Sequence, residues 1–330
     1  MRVLLGGFLV LMMVAGEALA AHPGEHAPIG VMGDHTHDEG EWMFSYRYMR
    51  MGMNGLRDDA ERISRRRVLD DFPVTPTSMD MEMHMFGAMY APIEGLTVML
   101  MIPYALVEME HRTRMGVMFA TKAEGIGDVR ATALVDLYKS HGHSVHANIG
   151  LSFPTGSLAE TDRTPASGGA KVRLPYPMQL GSGTFDFLPG LTYNGHDDAI
   201  SWGAQARGEI RLNENHADYT RGNEYALTAW GAYELTDSVS LSLRSEWQHE
   251  LNIRGRDASL NPQVIPTADP GRRAAMRLDL LAGVNFAVPG GVLEGIRIAI
   301  EGGLPVYQRL DGPGLETDWI ATFGIQYAIE

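Results

Sequence analysis

The sequence predicts an all-β protein, a transmembrane antiparallel up-and-down β-barrel of about twelve strands, of the bacterial outer-membrane type. Three observations predict it. Beyond the N-terminus no segment approaches ~18 consecutive apolar residues, which excludes transmembrane helices. The chain instead alternates apolar and polar residues with period two, as a strand must when one face meets lipid and the other a lumen. The connections between these segments alternate long and short.

The first element is an export signal. Arg2 supplies a positive start, Val3 through Gly16 is an unbroken apolar run, and Glu17-Ala18-Leu19-Ala20 places small residues at 18 and 20. Residues 1–20 therefore read as a secretory signal peptide cut after Ala20. As a membrane anchor the run is too short for a bilayer core of ~30 Å. The chain has no cysteine, so it is neither an acylated-cysteine lipoprotein nor a disulfide-stapled domain. Its net charge of -14 argues against a nucleic-acid partner, which selects basic surfaces. An exported chain with 45% hydrophobic residues and no helical span is a soluble periplasmic protein or a membrane barrel, and periodicity decides between them. Residues 21–40 read as a His-rich periplasmic tail and 41–330 as one barrel domain.

The last strand shows the alternation best. Thr317, Trp319, Ala321, Phe323, Ile325, Tyr327 and Ile329 share one face, and Asp318, Ile320, Thr322, Gly324, Gln326, Ala328 and Glu330 the other. Over 239–251, Val239, Leu241, Leu243 and Trp247 oppose Ser240, Ser242, Arg244, Glu246, Gln248 and Glu250. Over 200–212, Ile200, Trp202, Ala204, Ala206, Ile210 and Leu212 oppose Ser201, Gln205, Arg207, Glu209 and Arg211. The pattern recurs near 42–53, 78–90, 95–108, 127–138, 143–153, 183–194, 223–235, 275–288 and 294–307.

Long connections follow the first, third, fifth, seventh and ninth strands, and short ones lie near Ala91–Gly95, Lys139–Gly142, Asn194–His196, Leu235–Ser238 and Pro289–Gly291. Short periplasmic turns and longer external loops are the barrel arrangement, so loop parity supports the strand count. Asp128, Arg130, Asp136, His146, Asp186, Glu224, Arg277, Asp279, Arg297 and Glu301 all fall on polar faces. A charge facing lipid at the midplane costs about 2–4 kcal/mol, so this segregation is informative. A soluble sandwich would alternate too. Strand length, the export signal and aromatics near strand ends (Trp202, Tyr225, Tyr233, Trp247, Trp319, Tyr327) favour the barrel. The C-terminal Thr322–Ile329 fits the polar-x-Gly-x-x-Φ-x-Φ pattern read by the barrel-assembly machinery, apart from the trailing Glu330.

Three patches sit at strand boundaries: Glu124-Gly125-Ile126-Gly127-Asp128-Val129, Leu151-Ser152-Phe153-Pro154-Thr155-Gly156 and Leu180-Gly181-Ser182-Gly183-Thr184. With them the chain resembles the putative MetA-pathway of phenol degradation family of outer-membrane barrels. The resemblance implies a barrel permitting passage of small organic solutes. It brings no catalytic or binding residues.

Most of the 20 methionines lie before residue 120, including Met43, Met49, Met51, Met53, Met79, Met81, Met83, Met85, Met89, Met99, Met101 and Met109. Thioether and imidazole ligands together suit copper. This makes His22, His26, Met32, His35 and His37 candidate metal ligands, with copper the candidate cofactor. Against this stands methionine as flexible apolar filler, and a His-rich tail as simply solvated. If Asp80, Glu82 and His84 face the lumen, Met79, Met81, Met83 and Met85 face lipid. Over 43–53 the outward aromatics Trp42, Phe44, Tyr46 and Tyr48 instead place Met43, Met49, Met51 and Met53 inside.

Ser144 and His146 share a strand face, the minimum of a hydrolase pair, but no Gly-x-Ser-x-Gly element surrounds a candidate serine. The chain is therefore read as a non-enzyme. The expected function is an outer-membrane channel or transporter for a small, aromatic or other organic solute, with outer-membrane lipid as its surroundings. Candidate lumen and constriction residues are Arg207, Glu209, Arg211, Arg244, Glu246, Arg277, Asp279, Arg297 and Glu301. They pair across the bore or form a charged filter. The long external loop at 154–182 is placed to fold into the mouth. Two alternatives stay open: a metal-binding outer-membrane protein, and a non-conducting structural barrel.

Overall fold

A computed structural model of the chain describes residues 26–288 and 294–329. The expected signal peptide and His22 lie outside the described residues.

Eleven strand elements among the described residues form a closed ring: β1 (Trp42–Asp59), β2 (Val74–Ile93), β3 (Leu96–Thr113), β4 (Val129–Ser140), β5 (His143–Phe153), β6 (Asp186–Asp197), β7 (Ile200–Arg211), β8 (Glu224–Thr236), β9 (Val239–Glu250), β10 (Ala275–Ala287) and β11 (Ile296–Ile329). Neighbours in the chain are neighbours in the sheet, and β11 closes on β1 from Trp42↔Ile329 to Asp59↔Leu310.

Every pairing in the ring is antiparallel, and such a ring closes only with an even number of strands. The long β11 supplies the missing strand by reversing near Gly312 (φ 93°). Its residues 297–310 pair with β10 and its residues 310–329 with β1. Between the two arms the Thr317 N–H donates to Gln308 Oε1 and Gln308 Nε2 donates to the Thr317 carbonyl, each at 2.8 Å. The wall therefore has twelve crossings.

The apolar faces point outward, as expected. Phe86, Leu100, Ile149, Leu191, Leu227, Leu243, Leu280 and Ile300 are exposed on the outer wall. A soluble protein does not display such a belt, and a closed barrel that carries one sits in the outer membrane. Trp42 stacks on Tyr90 at 4.3 Å near the end with short turns, and Tyr48, Tyr104 and Trp319 lie toward the other end. At the short turns Gly95 takes φ 76°, a left-handed conformation that L side chains resist.

The third connection, residues 114–128, is long as expected and carries the outside strand Met118–Ile126, which pairs with β3. One expectation changes. Thr317 faces inward, because a register shift between Gly52 and Met53 flips the parity at that point.

β2 also corrects the alternation reading. Met79 and Met85 are buried in the lumen, while Asp80 and Glu82 point outward to Arg50, and His84 accepts or donates at the Tyr46 hydroxyl at 2.8 Å. A barrel strand needs only ~9–11 residues to cross. β2 has 20, so its first half stands above the hydrocarbon, where outward charges meet water and headgroups.

The loop after β1 carries a short helix, Arg65–Asp71, capped by the Ser64 hydroxyl, which accepts the Arg67 N–H at 3.2 Å. Val68 packs it onto Leu56 and Phe72.

Candidate functional site: a plugged lumen with a methionine wall

The N-terminal segment is inside the barrel. Residues 26–40, expected as a solvated periplasmic tail, fill the periplasmic half of the bore. Their backbone polar groups find partners on the wall, as burial requires. Arg47 Nε donates to the Ile29 carbonyl at 3.0 Å, Gln205 Nε2 to the Met32 carbonyl at 3.0 Å, and Asn194 Nδ2 to the Asp34 carbonyl at 2.6 Å. His146 Nε2 lies 2.9 Å from the Gly33 carbonyl. Arg297, wholly buried, donates to the Ala27 carbonyl, to Asn285 and to Gln326. Ala27 and Val31 pack on Trp230, the one inward tryptophan of β8. The segment leaves the bore where the Gly40 N–H meets the Ala91 carbonyl.

His146 therefore orients the plug, and its ring meets a main-chain carbonyl rather than Ser144.

Above the plug lies a cavity of about 440 Å³, with Met32 on its floor and Tyr176 and Pro177 of an external loop at its upper margin. Its two sides differ. On β1–β3, Met43, Met85, Met89, Met99 and Met101 form one buried cluster, and Met79 and Met109 another, joined by Met178 of the external loop. Met53 and Met81 present themselves from this wall to the cavity. The opposite wall is charged. Arg130, Arg207, Arg221, Arg272, Arg273 and Arg277 line the cavity against only Glu209, Glu224 and Glu250, so six cations face three anions in a chain whose net charge is -14.

The structure brings the expected lumen charges together in chains. Arg244 forms a bidentate pair with Glu301, both contacts at 2.8 Å, and donates to Glu246 at 2.6 Å. Arg207 joins Glu246 from the other side at 2.6 Å. Arg211 reaches Glu209, Asp186 and Glu224, and Arg130 joins Glu209 at 2.9 Å. Arg277 pairs with Asp279 at 2.9 Å and also touches Thr317 and the Met51 sulfur. Arg297 stands apart, on the plug. Sequence reasoning placed these side chains inward but missed Arg47, Asn148 and Gln205 as plug contacts. Each is one more polar residue on an inward face, and what marks it is a partner distant in sequence.

Of the candidate metal ligands, His26, His35 and His37 converge near the periplasmic mouth. Ring centroids are 4.7 Å apart for His26 and His35 and 4.8 Å for His35 and His37. Burial pushes the His26 imidazole well below its ordinary pKa and the His37 imidazole down to about 3, so both rings are neutral at pH 7. Met32 does not join them; it packs against the methionine cluster.

The three sequence patches at strand boundaries meet in a clasp at the top of β4. Asp128 accepts the Gly156 N–H at 2.9 Å and the Ser182 N–H at 2.7 Å. Thr155 Oγ1 donates to the Gly127 carbonyl at 2.8 Å and accepts the Val129 N–H at 2.9 Å. A Cβ on Gly156 would lie 2.7 Å from the Gly181 Cα, so this crossing tolerates only glycine. The external loop is thereby tied to the rim. Asp128→Ala removes the acceptor of two charge-assisted bonds. We expect a loss of about 2–3 kcal/mol and faster limited proteolysis within 154–185, with the barrel's β content unchanged.

A family profile described as "Putative MetA-pathway of phenol degradation" matches residues 72–300. The chain belongs to this family. Its span takes in the clasp and most of the wall. Among solved structures, the COG4313 outer membrane channel from Pseudomonas putida F1 is similar at 12% identity, over 90% of this chain and 98% of that one, with a TM-score of 0.65. The transport unit of the autotransporter AIDA-I from Escherichia coli is similar at 10% identity, over 90% and 93%, with a TM-score of 0.53. At these identities the likeness is one of fold. No curated protein sequence matches the chain significantly.

Proposed function

We propose that this barrel is an outer-membrane channel that passes a small amphipathic organic solute, an aromatic or similarly apolar body bearing an anionic group. The observation that carries this reading is the two-sided cavity. An apolar void of ~150 Å³ holds benzene, so a chamber of about 440 Å³ accommodates a ring with substituents. Thioethers are polarizable and contact ring edges favourably. The arginines opposite them, four of them already paired with carboxylates, give planar donors for a carboxylate. A channel for sugars would line such a chamber with hydroxyl and amide groups rather than methionine. The family's description and its likeness to an outer membrane channel agree with this reading.

The test uses proteoliposomes and a benzoate-type carboxylate, with protein-free vesicles as the baseline for its passage through lipid. Met53→Gln with Met81→Gln changes two cavity-facing thioethers to amides without altering the ion-pair wall. Uptake of the benzoate is expected to slow about fivefold, the equivalent of ~1 kcal/mol of lost contact, with the conductance to small salt ions unchanged. Equal slowing of both would refer the effect to the barrel rather than the solute.

A further inference from the structure

We propose that His26, Asp34, His35 and His37 form a binding site for one divalent first-row transition ion, and that the ion fastens the plug. The donor geometry carries the inference. One ligand atom each from His26, Asp34 and His35 lies within 4.8 Å of the others. A four-coordinate ion with bonds of ~2.0–2.1 Å holds its ligand atoms about 3.4 Å apart, so side-chain rotations of about 1 Å complete the shell.

The nitrogens are poised for it. His26 Nδ1, both ring nitrogens of His35 and His37 Nε2 are shielded from solvent and make no hydrogen bond of good geometry. His35 Nδ1 lies 3.1 Å from Asp34 Oδ1. Unpaired buried imidazole nitrogens are costly unless something accepts their lone pairs. The supporting contacts are those a ligand set needs. His37 Nδ1 sits 3.2 Å from Glu41 Oε2, which fixes a ring whose centroid lies 4.8 Å from that of His35. Asp34 Oδ2 accepts the Ala27 N–H at 3.1 Å, leaving Oδ1 for the ion. Imidazoles with one carboxylate suit zinc(II), copper(II) or nickel(II), with copper(II) held most tightly by the general affinity order.

The position gives the ion its role. His26 is at the start of the inserted segment, and His35 and His37 are near its exit. One ion bridging them closes residues 26–37 into a loop and holds the plug in its bore. This does not depend on which solute the channel passes, because it is read by metal content and spectroscopy as well as by conductance.

The experiment loads the refolded full chain with copper(II), removes excess ion, and measures metal per barrel and the nitrogen hyperfine pattern by electron paramagnetic resonance. His22→Ala serves as the control, because a His beside a mature N-terminus is an independent copper ligand. Wild type and His22→Ala are expected to retain one ion each with several coupled nitrogens, and His35→Ala and Asp34→Asn to lose it at least tenfold more readily. Chelation is expected to raise channel conductance in wild type and leave His35→Ala unmoved. Retention of the ion by His35→Ala, its loss in His22→Ala alone, or no bound ion in folded wild type would each overturn the proposal.

Discussion

Deleting residues 26–36 is expected to raise the single-channel conductance of the refolded barrel by about tenfold or more, because a bore of this strand number is wide enough to conduct once emptied. The segment fills the periplasmic half of the lumen and carries its own backbone donors and acceptors into contact with Arg47, Arg297, Gln205 and Asn194. Those side chains project into a lumen, so without the plug they meet water rather than hydrocarbon. The barrel's β content is accordingly expected to survive the deletion. Gly30 shows how closely the plug is fitted: a Cβ there would lie 2.3 Å from Glu301 Oε2 and 2.4 Å from an Arg244 nitrogen. Recordings from wild type and the deletion variant, with circular dichroism to confirm folding, check this. Equal conductance would mean that the segment is not the barrier to flow.

The second large effect is on stability. Glu301→Ala strands Arg244 in the lumen. Glu301 is 1% exposed and holds the guanidinium at two points, so its loss leaves a buried charge with Glu246 as its remaining carboxylate partner. Breaking a buried pair by removing one partner costs about 3–5 kcal/mol, and the surviving Glu246 contact places this case at the lower end, about 3 kcal/mol. Urea unfolding in detergent or lipid should show it as a lower midpoint. Replacing both members, Arg244→Met with Glu301→Leu, should recover most of the loss, because neither charge is then left unpaired. A double variant as unstable as the single one would show that the wall, not the pair, was damaged.

Much of the fold was legible because a membrane barrel obeys a strict rule of alternation. In β7 and β9 every inward polar residue named from the sequence is inward in the structure, from Gln205 and Arg211 to Ser240 and Glu246. The rule failed where its premise fails. It assumes that charge avoids the outer face, and Asp80 and Glu82 point outward because that half of β2 stands above the hydrocarbon. Under that condition the methionines of β2 fall on the wrong face, and Met79 and Met81 are lost from the cavity wall. The aromatics of β1 gave the correct parity for Met43 and Met49, since rings such as Trp42 mark the lipid face directly.

The site was less legible, for a different reason. The plug has no periodic signal: His26 through Gly40 reads as a polar, Gly-containing tail, and its contacts with residues 100 or more positions away show that it is structured. The histidines were visible as a composition, and Asp34 was passed over among them because a carboxylate beside His35 looks like an ordinary solvated charge. The three short patches of the family were visible as motifs at strand boundaries. Their meeting on Asp128 follows from loop closure, which no local pattern encodes.

The most direct test of the account is the selectivity of the wild-type channel. Proteoliposomes loaded with this protein should take up a benzoate-type aromatic carboxylate several times faster than a neutral sugar of similar size, with protein-free vesicles as the baseline. That ordering is the one a chamber walled by methionine and arginine imposes. Uptake of the sugar at an equal or greater rate would contradict it and would leave a barrel whose methionine wall has no part in choosing what passes.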